Sequence, residues 1–523
     1  MSRPLRSGSP IRRFCAPLLA ASALVFAACG GSGGDPSADP SAVVPAGSPF
    51  YVEVNLKPGD DVKELAKKLS GEEDPGKAFK SWFEKEVADE NPGFKFSEDV
   101  DPWLGEKVGV FAPRVSAGGD NAVGAIFSTK DADKAEEKLE EIIKQGEGGE
   151  KPRVTTRKHE DTEYFVDTTD GDAAAIVDDY AVAGNEAAIK SVIDQASGDA
   201  DALSDTSEYK KARDSVEADG LGFVYVRLSQ LFSGLGPQGA ALRQGLGGLG
   251  ETLAVGFDAD ESKMQAETAS LGVKGEATTT DPGKVLAELP ASSWLALGVA
   301  DVGGQIEKAI AQVSQLGALG GTDPEKLLDQ IEQQLGLDPR RDLASWMGDV
   351  GIFVFGDTLA EAGGGLIATT KDAGAARRAI PRIARFLRQV ANLRVQPLNR
   401  GGVDVGVTLR DPGVPVPIHM ALTDDERFIV AVTDPGLAQA LQDTDPLGES
   451  QAFKDAAGTL GDGIKPQAFL NFAQLATFAE GVGAGAQPAG QKFVNALKKL
   501  TTMAAGSKRE GDILRGKFVV GVK

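Results

Sequence analysis

The chain has 523 residues and a formal charge of −22, with 41% hydrophobic and 25% charged residues. That length exceeds one ordinary core, so two domains or one doubled unit are expected, and the composition is that of globular protein. A surface this acidic repels nucleic acid and anionic headgroups, which bind to basic patches, so no nucleic-acid partner and no basic face toward lipid are expected.

Taken from the N-terminus, Arg3, Arg6, Arg12 and Arg13 precede an apolar segment, Phe14 to Ala28. It is shorter than the roughly 20 residues of a spanning helix, so residues 1–28 read as an export signal. The segment ends Phe26-Ala27-Ala28-Cys29-Gly30. This resembles the bacterial lipobox, with Phe26 where Leu is usual. The resemblance implies that Cys29 is acylated and becomes the mature N-terminus, a lipid anchor in the cell membrane on its extracytoplasmic side. The only other cysteine, Cys15, leaves with the signal, so neither an intramolecular disulfide nor a thiolate metal site remains. Residues 29–44 are rich in Gly, Ser and Pro and read as a flexible tether of roughly 20 Å reach.

Beyond the tether the sequence repeats. "VPAGSPFYVEVNL" from Val44 aligns with "LPASSWLALGVAD" from Leu289, and "DVDPWLGEKVGVF" from Asp99 with "RDLASWMGDVGIF" from Arg341. "GAIFSTKDADKAEEKLEEI" from Gly124 aligns with "GLIATTKDAGAARRAIPRI" from Gly365. Further segments follow in the same order at offsets of about 241 to 249 residues. The expected organisation is a repeat unit over 45–275, a linker over 276–284 and a second unit over 285–523.

Within a unit, "NAVGAIFST" reads as a strand, and Asp131 as the N-cap of an amphipathic helix that buries Ala135, Leu139, Ile142 and Ile143. In the second unit Asp372 is the equivalent cap, Ile383, Phe386, Leu387 and Val390 form the expected buried stripe, and Pro381 is expected to bend that helix. "AAAIVDDYAVAG" and "ETLAVGFDADESKMQAETASLGVK" read as strand pairs about polar turns. Hairpins outnumber helical crossovers, so the expected class is α+β. Each of the two tandem duplicated units is then a largely antiparallel sheet with helices packed on one face.

The leader, the paired W-[LM]-G and TKD segments and the duplicated unit resemble domain of unknown function family 3352, found in bacterial envelope proteins, notably of actinobacteria. The resemblance implies an exported or anchored protein and supplies no functional residue.

The candidate sites are sparse. Gly234 to Gly239 and Gly245 to Gly250 both satisfy G-x-G-x-x-G, but neither sits between a strand and a helix of a βαβ unit, so both read as flexible connection. His159 and His419 occupy non-equivalent places outside any hydrolase or zinc motif, with His159 expected to be solvated beside Glu160 and Asp161. The acidic stretches Asp167–Asp172 and Asp199–Asp205 lack calcium-loop spacing and read as solvated turns. No catalytic residue, cofactor or metal is expected. The most specific shared positions are Trp103 with Gly105 and Trp346 with Gly348, read as core tryptophans followed by a tight entry into a strand. These features together describe a non-enzymatic, lipid-anchored envelope protein that binds or scaffolds another envelope component. A carrier of a lipid or other apolar ligand is the alternative.

Overall fold

The computed structural model describes residues 37–71, 95–116, 121–145, 153–245, 249–274, 281–319, 332, 336–390, 393–411, 413–442 and 445–523. The export signal over 1–28, Cys29 and the tether as far as residue 36 lie outside the described residues. The chain divides into two compact units. The first takes the chain up to Lys274 with Glu510–Arg515, and the second takes Gly275–Arg509 with Gly516–Lys523.

In the first unit the described strands are β1 (Phe50–Asn55), β2 (Leu104–Arg114), β3 (Ala122–Thr129), β4 (Val154–His159), β5 (Thr162–Asp167), β6 (Asp172–Val177), β7 (Tyr180–Asn185), β8 (Gly222–Arg227), β9 (Thr252–Asp260) and β10 (Lys263–Leu271). They pair antiparallel in the order β4-β5-β6-β7-β3-β2-β1-β8-β9-β10. Local chemistry sets the tight turns. Asp178 adopts φ 51° between β6 and β7, a left-handed geometry that Asp tolerates. Between β9 and β10 the Asp260 carboxylate accepts the N–H groups of Ser262 and Lys263, at 2.8 and 3.0 Å.

Helices cover both faces of this sheet, which corrects the expectation of helices on one face. On β6, Ala173, Ala175 and Val177 join a core with Ala188, Ile189, Val192 and Ile193 of the helix Glu186–Ala196. Ala174 points the other way, into a core with Ala135, Leu139 and Ile143 of the helix Ala132–Gln145. The reason lies in the central strands, whose apolar residues run consecutively ("AAAIV", "YAVAG") instead of alternating. Both faces of such a strand need cover.

The second unit holds β11 (Ser293–Val299), β12 (Met347–Phe355), β13 (Gly363–Thr370), β14 (Arg394–Pro397), β15 (Val403–Asp411), β16 (Val414–Thr423), β17 (Phe428–Val432), β18 (Lys465–Asn471) and, apart from the hairpin tip Glu510–Arg515, β19 (Leu500–Glu510) and β20 (Ile513–Val522). Their order is β14-β15-β16-β17-β13-β12-β11-β18-β19-β20. One face packs Phe353, Ile429, Ala431 and Phe469 against Leu437 and Phe453 from the helices Asp434–Ala440 and Gln451–Gly458. The other packs Trp346, Met420, Leu422 and Phe428 against helix α1 (Ala373–Val390). Ala376, Ala379, Ile380 and Ala384 form the buried line of α1, while Ile383, expected in that line, is only partly buried. Small residues let this helix sit close to the sheet, which shifts the contact line away from the bulkier stripe.

Two boundaries are also corrected. Residues 39–44, expected to belong to the tether, are packed. Asp39 caps a short 3-10 helix, Pro40–Ala42, and Val43 and Val44 are buried in the first core. The end of the expected linker is likewise ordered, because Asp281 caps the helix Pro282–Ala287, whose Val285 and Leu286 are buried.

Candidate functional site

The W-[LM]-G segments build the same local device in each unit. In the first, the Trp103 Nε1–H donates to the Asp99 carbonyl at 2.7 Å, and the Asp99 carboxylate accepts the Lys95 N–H at 2.8 Å. In the second, the Trp346 Nε1–H donates to the Asp342 carbonyl at 2.8 Å, and the Asp342 carboxylate accepts the Asp338 N–H at 3.0 Å. Both indoles are fully buried, edge-on to Phe127 at 5.9 Å and to Phe428 at 5.0 Å. The glycines are needed for a close approach. A Cβ on Gly105 would stand 2.4 Å from Ser128 Oγ, and one on Gly348 would stand 2.3 Å from Thr369 Oγ1. Those hydroxyls accept the N–H of Lys107 at 2.9 Å and of Asp349 at 2.8 Å, where the β2–β3 and β12–β13 ladders shift register. A side-chain oxygen thus replaces the missing ladder bond. Asp131 and Asp372 accept the N–H groups of Lys134 and Ala375 at 3.1 and 2.9 Å, each closing the first turn of its helix. All six positions serve the architecture.

Asp342 is the most electrostatically committed of these groups. It is 1% exposed, and it takes Arg341 Nη2 at 3.0 Å and Arg382 Nη1 at 2.8 Å. Burial alone would raise its pKa, but the hydrogen bonds from Arg341, the Asp338 N–H and Arg382 outweigh that and bring it down to about 2. A second buried carboxylate, Glu53, accepts from the Tyr51 hydroxyl at 2.9 Å and from Arg213 Nη2 at 3.2 Å, with Lys107 Nζ at 3.5 Å. Burial, then the Glu53 charge, holds the Tyr51 hydroxyl well above its usual pKa, so it stays a neutral donor. This network ties β1 to β2 and to the helix Ser207–Arg213.

The histidines are not alike. His159, expected to be solvated, places Nε2 2.5 Å from Asp194 Oδ1 and is partly buried. His419 on β16 is 2% exposed. Its Nδ1 lies 3.1 Å from Thr408 Oγ1, and its Nε2 lies 3.1 Å from Asp434 Oδ1 without the alignment of a hydrogen bond. The preceding residue, Thr433, holds φ 73°, a strained backbone for a β-branched side chain, and caps the helix Asp434–Ala440. Threonine, histidine and aspartate in contact suggest nucleophilic chemistry, but the accessibility is reversed. The hydroxyl of Thr408 lies in a residue only 7% exposed, whereas the Asp434 side chain is 70% exposed. A substrate would reach the acid and not the nucleophile. Burial, opposed by the Asp434 charge, lowers the His419 pKa and keeps the ring neutral near pH 7.

Of the two glycine-rich stretches, Gly234–Gly239 is corrected from connection to helix, over Leu228–Gly234 and Gly236–Gly245, whereas residues 246–248 of the second lie outside the described residues. Gly239 permits the packing, since a Cβ there would fall 1.7 Å from the Phe232 carbonyl oxygen. Beside it lies a pocket of about 200 Å³ lined by Leu228, Phe232, Arg243, Gly250, Glu251 and Lys274. The Lys274 ammonium pairs with Glu251 at 3.2 Å. In Asp167–Asp172, Asp167 accepts the Thr169 N–H at 2.8 Å and Asp170 accepts the Asp172 N–H at 3.0 Å, so these carboxylates close a turn. Among the described residues no group of three or more His, Cys, Asp or Glu side chains is placed to hold a metal ion, and no helix is long and apolar enough to cross a membrane.

Net charge concealed one feature. Residues 373–410 contain eight arginines and a single acid, Asp404. On α1, Arg377 pairs with Asp404 and Arg382 with Asp342. Arg378, Arg385 and Arg388 are exposed, and no carboxylate of the described residues lies within ion-pair distance of them. Arg394 on β14 stands directly opposite Arg410 on β15. The expectation of no basic face is therefore corrected for the second unit. A charge count in windows of about 40 residues would have found it.

The architecture is that of an α+β protein with antiparallel sheets. The chain belongs to the DUF3352 family, described as a protein of unknown function, whose model matches residues 16–520. Among solved structures it is similar to three entitled "Structure of crystal form IV of TP0453", "crystal form I" and "crystal form III". Their identities are 10%, 9% and 10%, with TM-scores of 0.25 in each case. The alignments cover 45%, 46% and 46% of this chain and 81%, 82% and 83% of those chains. No curated protein matches it.

Proposed function

We propose that this chain is an exported, lipid-anchored envelope protein, held by acylated Cys29 on the extracytoplasmic side, that binds or scaffolds another envelope component without catalysing a reaction. The observation that carries the reading is how completely the interior is used. Trp103, Tyr51, Tyr225 and Phe111 in one unit, and Trp346, Phe353 and Phe469 in the other, are among the largest fully buried side chains. The buried polar groups Glu53 and Asp342 are engaged in hydrogen bonds that fix the fold. The described pocket of about 200 Å³ falls below the roughly 300–1,000 Å³ of typical small-molecule sites and has a polar rim. Among the described residues, this favours the surface as the place of function.

The same reading takes the two units as copies of one ancestral unit. In support, both have the same strand order and both carry the Asp–Trp–Gly device with a hydroxyl partner from the following strand. The test of function is purification from native membranes, with crosslinking and mass spectrometry of the intact chain. A mature chain starting at acylated Cys29 and crosslinked to a macromolecular envelope component is the expected result. An apolar small molecule retained in stoichiometric amount would establish the carrier alternative instead. A mature chain beginning elsewhere, or lacking acyl groups, would remove the anchor.

A further inference from the structure

We propose that the exposed face of α1 is a docking surface for anionic phospholipid headgroups, so that the second unit makes a contact with the membrane separate from the lipid anchor. The inference rests on the reading of an anchored protein, since an anchor holds the chain at a leaflet.

Arg378, Arg385 and Arg388 recur at intervals of seven and three residues, which puts them on one side of a helix. They span about 15 Å along its axis at 1.5 Å per residue. Arg382, on the same side, is neutralised by Asp342 at 2.8 Å, and Arg377 by Asp404. Three charges are therefore left over, lying in a line and not converging on a pocket. A line of charges on a convex helix matches a plane of phosphates better than it matches one small ligand. Arginine is also the suitable cation, since its planar fork binds phosphate oxygens in pairs.

Arg394 and Arg410 are partners across the β14–β15 ladder, but they alternate with Val395, which packs toward α1, so they lie on the other sheet face and take no part in this surface. The rest of the chain is acidic enough to give −22 overall. A long polyanion such as a nucleic-acid duplex would run beyond the arginines onto repelling surface. A membrane need touch only this face, because acidic groups more than about 8–10 Å from the leaflet are screened at physiological salt.

The test uses the chain from Cys29 onward, without the leader and its Arg3, Arg6, Arg12 and Arg13, on vesicles of neutral phosphatidylcholine and on vesicles with about a third phosphatidylglycerol, with sedimentation as the readout. Attachment through acyl chains is common to both vesicles, so the anionic increment isolates the arginines of α1. Each cation near such a surface is worth about fivefold in partition at low salt. The wild type should therefore bind anionic vesicles at least about tenfold more strongly. That increment should vanish in the variant R378Q/R385Q/R388Q and shrink when salt is raised from about 50 to 300 mM. The three side chains are exposed, so the thermal midpoint of the variant should be unchanged.

Equal binding to both vesicles, or an increment that survives the triple substitution, overturns the proposal. So does arginine-dependent binding to a DNA duplex that is tighter than binding to the anionic vesicles. A Cys29→Ala variant separates the two readings. An anionic increment that persists when the mature wild-type chain proves unacylated leaves the arginine face standing and removes only the anchor.

Discussion

The indole N–H of Trp346 donates to the carbonyl of Asp342 at 2.8 Å, while the carboxylate of the same aspartate holds Arg382, from α1, at 2.8 Å. One residue thus fixes both a core tryptophan and the helix that covers it. Truncating a buried tryptophan costs about 3–5 kcal/mol. Trp346→Ala should lose that amount, and Trp346→Phe less, since a ring remains and mainly one hydrogen bond of about 0.5–1.5 kcal/mol is lost. Trp103 makes the same bond to Asp99 at 2.7 Å, so Trp103→Ala should cost a similar amount. Urea unfolding of both alanine variants checks this. A cost of under about 1 kcal/mol for one and several for the other would contradict the view of the units as copies.

Acid should loosen the α1 contact at a definable pH. The folded-state pKa of Asp342 is about 2, below an unfolded value near 3.9. A depressed carboxylate adds stability that is fully present above its unfolded pKa and is lost as pH falls through the folded one. The loss from this group should therefore fall between about pH 4 and pH 2. Asp342→Asn should flatten the stability profile in that window while lowering stability at pH 7. A variant whose acid limb matches the wild type would show that other carboxylates set it.

His419 works in a milder range. Its pKa is lowered in the fold by burial, so the unfolded chain takes up a proton first, below about pH 6.5. Stability from the neutral ring is present above that value and declines as pH falls below it. Arg400 and Arg410 oppose the charged ring and Asp434 favours it. Denaturation midpoints at pH 7.5 and 5.5 should differ for the wild type and differ less for His419→Gln. An unchanged difference would remove His419 from the acid response.

The two motif glycines should not be equally tolerant. A Cβ on Gly105 meets the Ser128 backbone at 2.6 and 2.8 Å as well as its hydroxyl, whereas at Gly348 the closest atom is the Thr369 hydroxyl and the backbone oxygen stands at 3.0 Å. A side-chain oxygen can rotate away and a strand backbone cannot. Gly105→Ala should cost about 1–3 kcal/mol and Gly348→Ala less, by thermal or urea unfolding. The reverse ranking would show that the hydroxyl at 369 is the more rigid partner.

Removing Lys517–Lys523 should destabilise the second unit. The deletion takes Val519, 2% exposed in the core with Phe353 and Phe469, and strips β19 of most of its hairpin partner, leaving only Ile513–Gly516 of β20. One fully buried valine is worth about 1.5–3 kcal/mol, and a bared strand edge invites association. A lower thermal midpoint with larger species by gel filtration is the expected outcome. An unchanged midpoint and a single unaltered peak would contradict it.

The sequence by itself determined the kinds of element and how neighbours pair. Strand-turn-strand patterns such as "AAAIVDDYAVAG" carry their own turn residues, so antiparallel hairpins were legible one segment at a time. Capping by Asp131 and Asp372 is equally local, because the carboxylate reaches an N–H only three residues away. Only the tertiary structure decided which charges would be spent internally. Asp342 meets Arg382 across 40 residues and Glu53 meets Arg213 across 160. No periodicity registers contacts at such separations, because they depend on which helix lies over which strand. The cover on both sheet faces was written in consecutive apolar residues, yet the choice of covering helix came from packing. The arginine face of α1 has the same origin. Its charges are visible in the chain, but which of them lack a carboxylate was settled when Asp342 and Asp404 took Arg382 and Arg377 and left Arg378, Arg385 and Arg388 outside.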